Sequence, residues 1–413
     1  MHNMETNIAS PNLLNQAPPA IVICLDSISG IQTAQILSQR GVPVIAIAKD
    51  RNHFACKTNV CEKILIADID GFELIQTLET LRPTLKEKPV LFPCSDTSVL
   101  VISRHRDRLE ELYHVLLPSA DVIEMMVDKV KFYRFAQEND FPITNTCFLY
   151  SREDAEEAAR NLCFPIILKP PYRPDRWRKH VSAKAFKVRN ADELLSLYDE
   201  CHMWTDVLIA QEWIEGPDTN HITCNCYFGS DSEPLVTFTS RKLRQWPRKT
   251  GQGCFGEAYK DDHVACETIH LYQSVGFRGL GYLEMKRDQN TGKYYIIEPN
   301  VGRPTGRSST AEANGVELLY TMYCDAIGWP LPANREQTGG DVKWIYLRQD
   351  IQSALSSWWH GEITLRDWWK SLRGPKWYAI FSRSDPAPFW YDVWGAFVNH
   401  VGDEISKRTK RVQ

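Results

Sequence analysis

No apolar run in this chain approaches the roughly 20 residues a helix needs to cross a bilayer. A spanning segment is therefore not expected, and neither is a secretory leader, since the first residues lack a basic stretch followed by an apolar one. Charge of one sign is also scarce in excess: the formal net charge is −4 over 413 residues. That balance argues against a nucleic-acid partner. The twelve cysteines contain no CxxC pair, and Cys224-Asn225-Cys226 alternates as strand residues do. Free thiols in a reducing cytoplasm are expected rather than disulfides or structural zinc. No Ser/His or Cys/His pattern marks a nucleophilic enzyme. Residues 1–18, rich in Asn and Pro, read as a disordered leader.

What is present begins at Ala20. Ile21–Leu25 reads as a buried strand, Ile31–Arg40 as a helix stopped by Gly41, and Val42–Ala48 as a second strand. Ile64–Ile66 is a third strand, a helix follows at about 71–81, and Val90–Pro93 is a fourth strand. Continuous apolar strands separated by helices indicate a parallel sheet covered on both faces. Asp26-Ser27 and Ser95-Asp96 stand at strand ends, where they either contact a small molecule or cap the following helices. The first strand–helix turn holds only Gly30, so the glycine fingerprint of a dinucleotide domain is missing there.

Met126–Asn139 reads as a helix, with Asp128-Lys129 near its start, and a further helix is expected over about 152–162. Ile166–Leu168 is a strand ending in Lys169, which is placed to reach a polyphosphate as a point charge. The segment that follows carries Arg173, Arg176, Arg178, Lys179 and His180 around Trp177, before another strand at Ala183–Val188. It reads either as a phosphate-covering loop or as solvated surface. Val207–Ala210 then runs into the hinge Gln211-Glu212-Trp213-Ile214-Glu215-Gly216-Pro217-Asp218. Its extended backbone can meet an adenine edge and its carboxylates a ribose.

The richest segment is Gly281–Arg303. Apolar-aromatic runs flank Gln289-Asn290-Thr291-Gly292, the signature of a β-hairpin with a short turn. Glu284 is expected at the end of the first strand, and Glu298 and Asn300 at the end of the second. Two carboxylates and an amide oxygen meeting at the open end of a hairpin suit Mg²⁺, which completes its shell with water and phosphate oxygens. Arg303 and Arg307 follow and offer planar, bidentate contacts to phosphate or carboxylate.

The ordered set Asp128-Lys129, Ile167-Leu-Lys169-Pro170, Gln211-Glu212-Trp-Ile-Glu215-Gly216, Leu283-Glu284-Met-Lys286 and Glu298-Pro-Asn300 resembles the ATP-grasp superfamily of carboxylate–amine ligases. Arg241-Lys242-Leu-Arg244-Gln245-Trp246-Pro247 with Gly251 and Gly253 looks particularly like its D-aspartate ligase branch. The resemblance implies a mixed α/β (α+β) fold: a parallel α/β domain over 19–120, then a two-lobed ATP-grasp domain with antiparallel sheets over 121–330, its small lobe at about 145–215. It also implies roles. Lys129 and Lys169 meet ATP phosphates or adenine, and the Gln211–Ile214 backbone, including Glu212 and Trp213, holds adenine. Glu215 or Asp218 takes the ribose, and Glu284, Glu298 and Asn300 bind Mg²⁺, with Mn²⁺ as a substitute. Arg303, Arg307 and Lys242 supply charge at the reacting groups. Two departures stand out: residues 170–182 contain no glycine, and the arginine after the metal-binding Asn lies three residues on rather than two.

The activity implied is ATP-dependent coupling of a carboxylate to an amine through an acyl phosphate. A nucleotide-binding module without catalysis and a biotin-carboxylase-type enzyme are the alternatives. The amine is expected to be a small molecule or part of an envelope or polysaccharide precursor, and a homodimer is common in the family. Residues 331–413 differ in composition, because nine of the thirteen tryptophans fall between Trp329 and Trp394. That extension is expected either to cap the ligase body or to touch a membrane peripherally.

Overall fold

The computed structural model describes residues 17–181, 183–248, 251–396 and 398. Most of the leader expected over 1–18 lies outside them. The first sheet is parallel, in the order β3-β2-β1-β4, from Ala20–Ile23 (β1), Val44–Ala48 (β2), Lys63–Ile66 (β3) and Val90–Pro93 (β4). Every residue of β1, β2 and β4 is buried, which is why these strands read as unbroken apolar runs. Ser27 caps the helix Ile28–Gln39 by accepting from the Gly30 N–H. Ser95 caps the helix Asp96–Arg104 in a capping box with Ser98. Both serines cap helices and also line a cavity.

Met126–Asn139 is not one helix. Asp128 leaves helical geometry and accepts from the Val130 and Lys131 N–H groups, separating the helices Ala120–Val127 and Lys129–Glu138. The cap sets Lys129 in the first turn of the second helix.

An antiparallel sheet ordered β5-β8-β6-β7 follows, from Thr146–Leu149 (β5), Ile166–Lys169 (β6), Phe186–Val188 (β7) and Leu208–Glu212 (β8). The helices Arg152–Asn161 and Ala191–Cys201 bury Ala155, Ala158, Leu194 and Tyr198 against it. The basic segment after Lys169 is partly helical, over Asp175–His180. Trp177 within it is fully buried and its indole N–H donates to the Ala183 carbonyl at 3.1 Å. One aromatic anchor therefore turns the segment into a short helix with its cations outward.

The largest sheet has seven strands in the order β13-β12-β9-β10-β11-β14-β15. They are His221–Phe228 (β9), Pro234–Trp246 (β10), Gln252–Ala258 (β11), Gly279–Arg287 (β12), Tyr294–Val301 (β13), Lys343–Ile345 (β14) and Lys376–Tyr378 (β15). The tryptophan-rich region supplies the last two strands, with β14 antiparallel to β11 and Trp344 buried. Ile21 and Ile23 of the first sheet share one hydrophobic cluster with Phe228 and Leu283 of the large sheet. The first sheet and the large sheet thus share one core.

Candidate active site

Strand register fixes the site. Across the β12–β13 ladder Glu284 lies opposite Glu298 and Tyr282 opposite Asn300. Side chains alternate faces along a strand, so these four share one face. The acids stand in mid-strand, not at the hairpin's open end, because β12 continues to Gly279 and β13 to Val301. On the other side of β12, Asn225 lies opposite Tyr282 and Thr223 opposite Glu284. Two carboxylates directly opposed across a ladder repel; Lys129 offsets part of this at Glu298, and a bound divalent cation would offset the rest. Glu284, Glu298 and Asn300 are hard oxygen donors of the type Mg²⁺ takes, and their small number leaves positions for phosphate oxygens. No group of three or more His, Cys, Asp or Glu side chains that could hold a metal occurs among the described residues. The donor chemistry fits Mg²⁺; the set is two acids and an amide.

Cations converge on the same face. Lys129 Nζ lies 3.1 Å from Glu298, which raises the lysine's pKa. Burial opposes ionisation of Glu298, but Lys129, then Lys169 and Arg303, hold its carboxyl below the usual range. Lys169 Nζ donates to the Tyr133 hydroxyl at 3.1 Å, and that hydroxyl donates to the Ile297 carbonyl at 2.6 Å. Burial, with the Lys129 charge beside it, lowers the Lys169 pKa to about 7. Arg303 donates to Asp96 through Nε and Nη2 at 2.5 and 3.0 Å, to the Tyr282 hydroxyl at 2.6 Å and to Asn300 Oδ1 at 2.8 Å. The first residue of the helix Asp96–Arg104 thereby orients a guanidinium just past the end of β13.

Farther along the face, Arg307 is buried and donates to Thr223 Oγ1 at 2.9 Å. It runs tight against Gly253, where an added Cβ would lie 1.8 Å from Nη1. Lys242 is buried and donates to Gln245 at 3.3 Å, and burial lowers its pKa. Around them the buried polar atoms Asn225 Oδ1 and Nδ2, Asn300 Nδ2, Arg307 Nε and Ser308 Oγ have no partner among the described residues. Unpaired buried polar groups cost free energy; of these residues Asn300 and Arg307 line the cavity, where a polar ligand can meet them.

A cavity of about 990 Å³ joins these groups. Ser95 and Asp96 line it from the turn after β4, Lys169 and Lys184 from β6 and the segment before β7, and Tyr346 and Arg348 from the tryptophan-rich region. Lys129, Lys242, Glu284, Glu298, Asn300, Arg303 and Arg307 all face it.

The hinge is placed differently. Only Trp213 of its proposed contacts lines the cavity. Gln211 donates to Thr146 Oγ1 at 2.8 Å, and Glu212 accepts from the Cys163 N–H at 2.9 Å. The Ile214 carbonyl accepts from Lys286 at 2.7 Å, Glu215 pairs with Lys187 at 2.9 Å, and Asp218 accepts from Gln245 at 2.8 Å. Burial raises the Asp218 pKa. Sequence reasoning missed Tyr282, Tyr133, Asn225, Tyr346 and Arg348. Tyr282 sits two residues before Glu284 and was legible by alternation; the others arrive through tertiary contact.

No protein-family model matches the chain. It is 25% identical over 253 residues to a D-aspartate ligase of Enterococcus faecium, an alignment covering 58% of this chain and 59% of that protein. It is 22% identical over 183 residues to a D-alanine–D-alanine ligase of Pseudomonas putida, covering 43% and 54%. The chain thus spans between half and two thirds of the length of these curated relatives. Among solved structures, an N5-carboxyaminoimidazole synthetase from Staphylococcus aureus complexed with ADP superposes with a TM-score of 0.60 at 15% identity, over 78% of this chain and 79% of that one.

Proposed function

With the ATP-grasp fold as premise, we propose that this protein is an ATP-dependent ligase that activates a carboxylate as an acyl phosphate and couples it to an amine. The observation carrying the proposal is the opposed pair Glu284–Glu298, set in a cavity of about 990 Å³ among Lys129, Lys169 and Arg303. Such a site is a polyphosphate cradle.

The chemistry requires an activated leaving group, because an amine cannot expel oxide from a carboxylate. A carboxylate oxygen of the substrate attacks the γ-phosphorus of ATP, the bond to the β-phosphate oxygen breaks, and ADP leaves. The amine then attacks the acyl carbon, phosphate departs, and the nitrogen loses its extra proton to give an amide. Glu284, Glu298 and Asn300 would hold Mg²⁺ (or Mn²⁺), which when bound neutralises charge on the phosphate oxygens. Lys129 and Lys169 bind phosphate and Trp213 meets adenine; for Glu215 or Asp218 to take the ribose, the bonds to Lys187 and Gln245 must open first. Arg303, oriented by Asp96 and Tyr282, stabilises the charge that spreads over the transferring group. Lys242 and Arg307, on the wall with unpaired polar atoms, hold the carboxylate substrate. The amine is a small molecule or part of an envelope or polysaccharide precursor, and the enzyme acts as a homodimer.

Hydroxamate formation tests this with pooled amino and sugar acids, Mg·ATP and hydroxylamine, which intercepts the acyl phosphate whatever the natural amine is. Wild-type protein is expected to give product and Glu298→Gln to lose about 10²–10³ of the rate. Failure to bind ATP in calorimetry would overturn the reading.

A further inference from the structure

The helix Leu347–Trp359 is amphipathic in reverse. Its inward face buries Asp350, Ser353, Ala354 and Ser357. Its outward face presents Ile351, Leu355, Trp358 and Trp359, one stripe at helical spacing, with Leu355 half exposed at 50% and Trp359 at 80%. Surface helices of globular proteins turn their apolar stripe the other way. Rolling the helix cannot correct this, because polar bonds lock the orientation. Arg244 donates to both Asp350 oxygens at 2.7 and 3.2 Å, the Trp368 indole N–H donates to Asp350 at 2.9 Å, and Ser353 donates to the Gln245 carbonyl at 2.8 Å. Desolvating a carboxylate while leaving tryptophan in water is costly unless the outer face has its own partner.

The next helix, Leu365–Ser371, identifies that partner. Trp368 points inward to Asp350, which leaves Leu365 and Trp369 outward, one turn apart, with Trp369 exposed at 69%. Arg366, Lys370 and Arg373 are exposed beside them. Of the nearby acids, Glu362 pairs with Arg248, and Asp367 accepts from Thr364 at 2.6 Å and lies 3.9 Å from Lys370, which leaves Arg366 and Arg373 as the cations of this helix and its end with no ion pair of their own among the described residues. Beyond the described residues the sequence adds Lys407, Arg408, Lys410 and Arg411 against Asp403 and Glu404. Tryptophan and leucine interleaved with cations match the interfacial zone of an anionic bilayer, where indoles sit at headgroup depth and lysine and arginine meet lipid phosphates. A second copy pairing about a twofold axis would set these three cations against three more.

We propose that the outward faces of Leu347–Trp359 and Leu365–Ser371 form a docking surface for an anionic phospholipid bilayer. The surface adjoins the candidate active site directly, because Tyr346, Arg348 and Gln349, at the start of the first helix, line the cavity. A helix of this length spans about 20 Å, so docking holds the cavity within that distance of the lipid headgroups. A substrate anchored in the same membrane then reaches the site without leaving its surface. The docking itself does not depend on the ligase chemistry.

The full chain is sedimented with vesicles of phosphatidylcholine alone and of phosphatidylcholine with phosphatidylglycerol, while self-association is followed by analytical ultracentrifugation. Binding is expected to the anionic vesicles, weakened in about 0.5 M salt. The triple variant Leu355→Ser, Trp359→Ser, Trp369→Ser should bind more than tenfold more weakly. The variant Arg366→Gln, Lys370→Gln, Arg373→Gln should lose about fivefold per cation. Quenching of tryptophan fluorescence by brominated lipid in the unaltered protein supplies a readout independent of any variant's folding. The proposal is overturned if the full chain ignores anionic vesicles and shows no quenching. It is equally overturned if the apolar variant binds as well as wild type, or if a dimer abolished by that variant forms while vesicles are not bound.

Discussion

Lys169 gives nucleotide binding a pH dependence whose sign can be worked out in advance. Burial pushes its pKa from the ordinary lysine range to about 7; the Lys129 charge adds to the effect and Glu298 opposes it. Its other polar neighbour, Tyr133, contributes a hydroxyl at 3.1 Å. At pH 7 about half of the free protein therefore carries a neutral amine there, and at pH 9 about 99% does. A phosphate oxygen favours the ammonium, so ATP binding takes up a proton above pH 7. Each pH unit above 7 then costs up to about tenfold in apparent affinity, until the pH passes the raised pKa of the complex. The total loss is bounded by the strength of a charged hydrogen bond, about 1.5–3 kcal/mol, or roughly 10- to 100-fold. Lys169→Met should bind with the wild type's high-pH affinity throughout and show a flatter profile. Calorimetry at pH 8 in buffers of different ionisation enthalpy should report about 0.4–0.8 proton taken up by wild type and correspondingly less by the variant. Stability carries the opposite sign. The folded pKa lies below the unfolded one, so the unfolded chain holds more protons between about pH 7 and 10.5. This group's destabilisation is complete below pH 7 and disappears as the pH rises through that window, so Lys169→Met should raise the melting temperature of ligand-free protein at pH 7. Equal pH slopes of ATP affinity in wild type and variant would refute the argument.

Two further substitutions probe the cavity wall at Gly253 and the buried anchor at Trp177. Gly253→Ala places a methyl 1.8 Å from the present position of Arg307 Nη1. The guanidinium must move, so the KM for the carboxylate substrate is expected to rise more than tenfold with calorimetric ATP affinity unchanged. Trp177→Ala removes the fully buried anchor of the helix Asp175–His180 and should destabilise the small lobe by about 3–5 kcal/mol. Hydrogen exchange of the β6 and β7 amides should accelerate while that of β1 and β2 does not.

The parts of the fold legible in the sequence were those whose cause is local. Val90–Pro93 is buried on both faces and its apolar run marks the strand exactly as it stands. The second strand begins at Val44 rather than Val42, because the Val42 N–H closes the preceding helix by donating to the Leu37 carbonyl. The hairpin's turn was readable in Gln289–Gly292, and Asp288 secures it by accepting from the Asn290 and Thr291 N–H groups at 3.0 and 2.8 Å. The position of the acids within the hairpin was not readable. Register depends on β9 pairing along the far side of β12, and on an irregularity between Glu284 and Met285 that no residue type announces.

The same limit explains the tryptophan-rich region. Ile351, Leu355, Trp358 and Trp359 recur at the spacing of a core-facing stripe, and periodicity alone assigns that stripe to the interior. Periodicity reports that a helix has two faces but not which of them is inside. The choice is made by Arg244, which lies 106 residues from Asp350 in the chain and pairs with it behind the helix. Breaking a buried ion pair leaves an uncompensated charge at a cost of about 3–5 kcal/mol, comparable to what burying one or two large apolar side chains returns. A single long-range contact can therefore hold an apolar stripe outward. Arg244 lies on β10, the strand that also carries Lys242 toward the cavity, so one stretch of three residues fixes both the substrate wall and the outward face of the helix.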